Sequence, residues 1–195
     1  MRILYNLLLV ILVTAINIAY AETKQAPFDV LFHGSNTRKI EVIKPQSHYV
    51  RDEKEGAVIF ATPSLKLASC FLFRWDDSWV HQFIQSYEEN KDFDVYLIIS
   101  DLEKFYKADK GGAIYLLPAK DFYYDENKGL GIYEWTTNIP VVPLDQLNFS
   151  STLKTMQKFG VKIYFLDKKY FKKLPELEGK EKIEFIERKG KNLSK

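Results

Sequence analysis

The chain has little of what usually announces a function. Among 195 residues there is one cysteine, Cys70, so no intramolecular disulfide can form and the fold must stand on its core. There are three histidines, His33, His48 and His81, far apart and with no cysteine beside them, so the sequence offers no ligand spacing for a metal. No Gly-rich loop of the Walker or Rossmann kind occurs, which argues against ATP and against dinucleotide binding of the Rossmann type. Charge of one sign is also missing. The net charge is +2, which argues against a protein that holds nucleic acid through a general electrostatic footprint. Repeats and low-complexity segments are absent too.

What is present begins at the N-terminus. Met1 to Asn6 contains one arginine, Leu7 to Ile16 is almost unbroken apolar sequence, and Ala19-Tyr20-Ala21 has the small residues of a signal-peptidase site. Residues 1–21 therefore read as a signal peptide cleaved after Ala21, leaving a secreted or periplasmic protein. A retained anchor is the competing reading, but Asn6, Thr14 and Asn17 shorten the apolar run below what a membrane span needs. No span is expected after cleavage. Residues 22–195 suffice for one domain with a real core. From Ser151 onward 13 Lys or Arg stand against 6 Asp or Glu, and this surplus reads as a solvated surface and a basic C-terminal tail rather than as a nucleic-acid or membrane patch.

Short elements alternate along the mature chain. Val30 to Ser35 reads as an apolar strand-like run that ends in His33 and a small polar turn, Gly34-Ser35, and 37–55, broken by Pro45, as a loop. Val58 to Ala61 reads as a strand feeding a helix that starts at Pro63, with Thr62 as its N-cap, and runs to about Arg74. Asp76-Asp77-Ser78 suits the start of a further element through Tyr87. Phe93 to Ser100 and Ala113 to Leu117 read as strands and antiparallel neighbours, separated by a helical turn at 101–106. A loop at 121–131 precedes a strand from Ile132 to Thr137. A helix from Ser151 to Phe159 and a strand from Val161 to Leu166 follow, and the remainder reads as peripheral. Many short strands with few helices favour an α+β fold over a doubly wound sheet.

Three segments stand out in this order. His33-Gly34-Ser35 sets an imidazole and a hydroxyl at a strand end beside exposed backbone N–H groups. The run 56–68 is a strand entering a helix, and Tyr133-Glu134-Trp135-Thr136 sets one carboxylate among large strand-forming residues. Together these segments resemble the ADP-ribosyltransferase superfamily. The resemblance implies an α+β, ADP-ribosyltransferase-like split β-sheet with short flanking helices, holding NAD as co-substrate in a cleft without a metal. It implies that His33 bonds the ribose beside nicotinamide, that the Gly34 backbone meets the carboxamide, and that Ser35, Phe60 and Thr62 border the cofactor. Ile59-Phe60-Ala61 followed by Ala68 is similar to the second motif of poly(ADP-ribose) polymerases and rifampin ADP-ribosyltransferases. Where the polymerases sandwich nicotinamide between tyrosines this chain has Ile59 and Cys70, which leaves Phe60 or Phe71 to supply a ring. Glu134 matches the catalytic glutamate.

The chemistry asked of Glu134 follows from bond cleavage. When nicotinamide departs with the bonding electrons, positive charge develops on the ribose, and a carboxylate beside it is stabilising. Acid/base work by the same group is worth about two to four powers of ten in rate. Each residue also has a structural use. His33 could close a strand, Gly34 and Ser35 could make a turn, and Phe60, Leu65, Leu67 and Ala68 could be core. Thr62 and Ser64 could be caps only, and Glu134 a strand-edge carboxylate. His48 and His81 have no motif around them, and Cys70 reads as a buried thiol. The expectation is thus an exported mono-ADP-ribosyltransferase or NAD glycohydrolase acting on an unknown acceptor, protein or small molecule. The alternative is a catalytically degenerate module of the same fold that binds a protein or nucleotide partner.

Overall fold

A computed structural model of the chain describes residues 24–25, 29–46, 55–86, 93–125 and 128–194. The expected signal peptide, His48, Tyr87 and the centre of the 37–55 loop lie outside these residues. The fold is mixed α+β, built of three small sheets and a few short helices.

One sheet has the order β1 (Lys24–Gln25), β7 (Tyr123–Tyr124), β8 (Trp135–Thr137), β3 (Ile59–Ala61), with antiparallel pairs throughout. A second is β2 (Val30–Ser35), β6 (Gly112–Pro118), β9 (Asp145–Phe149), also antiparallel. Reciprocal backbone bonds between Phe32 and Thr62, 2.8 and 2.9 Å, join β2 to the end of β3. These two sheets share a core in which Leu31, Tyr115, Leu117, Phe122 and Trp135 are almost fully buried. The third sheet is β11 (Lys191–Asn192), β10 (Lys162–Phe165), β5 (Phe93–Ile99), β4 (Val80–Ser86), and its β5–β10 pair is parallel. Its side chains alternate as the pleat requires. Val95, Leu97 and Ile99 face a core shared with Leu67, Phe73, Phe105 and Met156, while Tyr96 and Ile98 face Leu166, Leu174 and Ile186.

Helix α1 (Leu65–Ser69) lies between the second and third sheets. Helices α2 (Leu102–Ala108) and α3 (Thr152–Lys158) start where expected, capped by Asp101 and Ser151, whose side chains accept from the Lys104 and Lys154 backbone N–H groups. The Asp109 carboxylate links the two helices by accepting from the Ser151 hydroxyl (3.0 Å) and the Leu153 N–H (3.1 Å).

Four expectations are corrected. The first helix starts later and stops at Ser69 rather than about Arg74. Ser64 is its N-cap, accepting from the Leu67 N–H at 3.2 Å, while Thr62 Oγ1 accepts from the Ser64 N–H at 3.2 Å in the turn before it. The chain then folds back, held by the Trp75 indole N–H donating to the Cys70 carbonyl at 3.0 Å. Second, the strands at 93–99 and 112–118 are not neighbours, because β5 pairs with β4 and β10 while β6 pairs with β2 and β9. Third, the strand expected from Ile132 is a 3₁₀ turn, Gly131–Tyr133, and the strand begins only at Trp135. Gly129 and Gly131 hold positive φ (53° and 55°), which turns the chain immediately before Glu134. Fourth, the C-terminal stretch is not peripheral. It forms α4 (Lys168–Phe171), α5 (Gly179–Lys189) and β11, buries Leu174 and Ile186 completely, and bonds Leu193 N–H to the Ile163 carbonyl at 2.7 Å.

Candidate functional site

The end of β2, the length of β3, the C-terminal end of α1 and the turn before β8 surround one cavity of about 770 Å³. Its wall includes His33, Gly34, Ser35, Phe60, Thr62 and Glu134, so residues up to 101 positions apart in the chain meet at one space. That volume lies within the roughly 300–1,000 Å³ of small-molecule and cofactor sites.

His33 is fixed by its strand and by one side-chain bond. Its Nδ1 lies 2.7 Å from the Phe60 carbonyl, which can only accept, so Nδ1 carries the proton. Burial lowers the proton affinity of the ring below the ordinary imidazole value, and the bond to Phe60 offsets only part of that effect. The neutral ring then has its lone pair on Nε2, able to accept a hydrogen bond.

Gly34 has a packing reason to be glycine. A Cβ there would stand 1.9 Å from the Ala68 carbonyl oxygen, so β2 and α1 touch backbone to backbone. Ser35 Oγ accepts from the Thr37 N–H at 3.1 Å and turns the chain out of the strand. Beyond it, the Tyr115 hydroxyl donates to the Thr37 carbonyl and accepts from the Ile40 N–H, each at 3.0 Å, which pins the cavity wall to β6. Thr62 is buried and occupied with the β3–α1 turn. Glu134 is half-buried, its N–H donating to the Gly131 carbonyl at 3.0 Å, between the 3₁₀ turn and β8. The strand that follows is anchored by Trp135, whose indole N–H donates to the Ile132 carbonyl at 2.9 Å.

Aromatic rings also line the cavity: Phe71, which the sequence left to supply a ring, and Trp75 and Tyr133, which the sequence reading missed. Phe71, exposed despite its size, stacks on Trp75 with centroids 5.9 Å apart and planes at 29°. Tyr133 packs on Phe93 at 4.3 Å, with its hydroxyl 3.3 Å from Ser86 Oγ. The 71/75 spacing suits one face of a helix, but the helix ends before it, so the pair is set by a turn that no periodicity announces. Lys44, Arg74, Asp76 and Asp77 add both signs of charge to the wall. Asp76 is held below the usual carboxylate range, first by the Ser78 hydroxyl and backbone N–H and then by Lys104. Cys70, by contrast, is fully buried outside the cavity wall, and burial pushes its thiol up to about 12.

Among the described residues no group of three or more His, Cys, Asp or Glu is placed to hold a metal ion, and no helix is long and apolar enough to cross a membrane. Comparison with protein-family models, with curated proteins and with solved structures finds no match to this chain.

Proposed function

We propose that the chain is an exported NAD-dependent mono-ADP-ribosyltransferase or NAD glycohydrolase, with an ADP-ribosyltransferase-like split sheet, and that the cavity beside β2 receives NAD. The observation that carries the reading is the meeting of His33, Glu134 and the rings of Phe71 and Tyr133 around one space of cofactor size. The neutral His33 ring, donating through Nδ1 to Phe60, leaves Nε2 to accept from a ribose hydroxyl. Phe71 and Tyr133 offer faces for the nicotinamide ring, in place of Ile59 and Cys70. In the reaction the bond between the ribose carbon and the nicotinamide nitrogen breaks, and its electron pair leaves with nicotinamide. Glu134 stabilises the resulting cationic sugar, and water or an acceptor nucleophile forms the new bond and gives up its proton. Residues 1–21 direct export.

The burial of Cys70 favours a second reading, because one position where the polymerases carry a stacking tyrosine cannot reach the cavity here. On that reading the cavity binds a nucleotide or a protein segment without chemistry. Nicotinamide release from NAD separates the two. Turnover that falls by about two to four powers of ten in Glu134→Gln, and falls also in His33→Ala with folding intact, supports the enzyme. Absence of turnover together with no NAD-dependent rise in melting temperature rejects the enzyme and its cofactor.

A further inference from the structure

The stretch that covers the face of the third sheet turned away from the cavity carries a basic surplus, nine Lys or Arg against six Asp or Glu from Asp167 to Lys191. The segment 168–173 winds so that Phe171, with Leu174 just beyond it, packs inward, while Lys168, Lys169, Lys172 and Lys173 stand exposed on the outside. Two ammonium groups lie near the Tyr170 ring, Lys169 Nζ at 4.7 Å and Lys189 Nζ of α5 at 5.5 Å from its centroid. Its ring meets Phe185 edge-on at 6.0 Å, which ties α4 to α5. None of these five lysines has a carboxylate within salt-bridge distance among the described residues, whereas Lys180 of α5 is 3.6 Å from Glu184. Like charges kept together without partners cost stability through mutual repulsion, and an anionic surface relieves that cost.

We propose that the lysines around Tyr170 form a docking surface for an anionic phospholipid membrane. Three observations favour lipid over nucleic acid. From Ser151 onward the cations are twelve lysines, point charges suited to mobile headgroups, and one arginine, Arg188, whereas base reading favours forked guanidinium groups. The Tyr170 ring already holds two ammonium groups and an edge contact with Phe185, which a stacking base would have to displace. The surface is the outside of a helix pair packed on the third sheet, where headgroups meet exposed side chains directly. Among the described residues, no large exposed apolar side chain occurs after Leu147, so attachment is electrostatic and reversible rather than wedged. The pleat also orients the bound molecule. Tyr96 and Ile98 point to the lysine side and Leu97 and Ile99 to the side where Leu67 and Phe73 line the cavity, so docking leaves the cavity turned from the lipid.

The test is sedimentation of the full chain with vesicles of phosphatidylcholine alone and of equimolar phosphatidylcholine and phosphatidylglycerol. Any contribution of the apolar 7–16 run is common to both vesicles, so the excess on the anionic ones is the readout. Each lysine near an anionic surface is worth about a fivefold change in partition. Replacing Lys168, Lys169, Lys172 and Lys173 with Gln is therefore expected to lower the excess by roughly a hundredfold or more at low salt. If that variant folds poorly, Lys169→Gln with Lys189→Gln serves, with a loss of about twenty-five-fold expected. A charge-matched control at the exposed Lys107, Lys110, Lys120 and Lys154 is expected to change it little. No anionic excess in the wild type, an equal loss in the control, or tighter salt-sensitive binding to a DNA oligonucleotide than to the vesicles each overturns the proposal.

Discussion

The contact between β2 and α1 makes a sharp prediction for Gly34→Ala. The added Cβ would lie 1.9 Å from the Ala68 carbonyl oxygen, 3.0 Å from the Ala68 carbonyl carbon and 3.1 Å from Phe71 Cβ. Real contacts of this kind do not fall below about 3 Å, so strand and helix must part by about 1 Å. Neither partner can move alone. Phe32 and Thr62 lock β2 to β3, and the Ala68 carbonyl accepts the Phe71 N–H at 3.1 Å. Parting them also opens the cluster of Ala68, Leu72 and Ile114, each almost fully buried. Overpacking costs about 1–3 kcal/mol, and here the two sides are both backbone, so about 3 kcal/mol is expected. For a domain of this size that is a fall of roughly 6–12 °C in melting temperature. Gly56→Ala is the control. Its φ is 71° but among the described residues nothing lies within 4 Å of an added Cβ, so the backbone cost of about 1–2 kcal/mol is what applies. The assay is calorimetry or far-ultraviolet circular dichroism on the three proteins at one pH. Gly34→Ala melting within about 2 °C of wild type, or above Gly56→Ala, refutes the backbone contact.

Three further outcomes are expected. His33 holds its proton less firmly when folded than the unfolded imidazole does, so as pH falls the unfolded chain is protonated first. Its stabilising contribution is complete above about pH 6.5 and is lost as pH falls from there through the folded value. His33→Asn, which can still donate to Phe60, should show a shallower acid loss in urea unfolding, and equal slopes would remove His33 as a cause. Cys70, with its thiol at about 12, should resist an aromatic disulfide reagent at pH 8 and react stoichiometrically in denaturant; a fast native reaction contradicts its burial. Asp109→Ala should cost about 1–3 kcal/mol by removing an acceptor from both Ser151 and Leu153, and a chemical-denaturation midpoint unchanged from wild type would show the link to be idle.

Much of the element order was readable because it depends on local signals. Asp101 and Ser151 head their helices as hydroxyl and carboxylate caps do, and the apolar run at 93–99 is a central strand with neighbours on both sides. Sheet partnership was not readable, because an apolar strand reports burial and not its neighbour. The strands at 93–99 and 112–118 look like a hairpin in sequence, yet helix α2 carries the chain from one sheet to another. The third correction has a local cause that sequence held without emphasis. Gly129 and Gly131 flank Leu130, and positive φ at both is what replaces the first half of the expected strand by a turn. The C-terminal error came from charge. Thirteen basic residues hid the apolar set, Phe171, Leu174, Ile183 and Ile186, that fastens the stretch to the third sheet.

The six residues singled out from sequence line the cavity, but they do not weigh equally as signs of chemistry. Gly34 is demanded by Ala68, Ser35 by the turn at Thr37, and Thr62 by its backbone pair with Phe32 and its bond to Ser64. Loss of activity on changing any of these three would follow from a damaged wall whether or not it touches a ligand. His33 is intermediate. One nitrogen is committed to Phe60 and the other carries the only function left to a ligand, so His33→Asn, which preserves the first, isolates the second. Glu134 follows a turn made by backbone bonds and precedes a strand held by Trp135, and neither of those supports uses its carboxylate. Glu134→Gln keeps shape and backbone while removing the charge, so its effect on the chemical step is read against its own melting temperature. An enzyme therefore requires kcat in Glu134→Gln to fall by more than any change in its melting temperature accounts for, and a binding module requires ligand affinity to track wall damage at Gly34 instead.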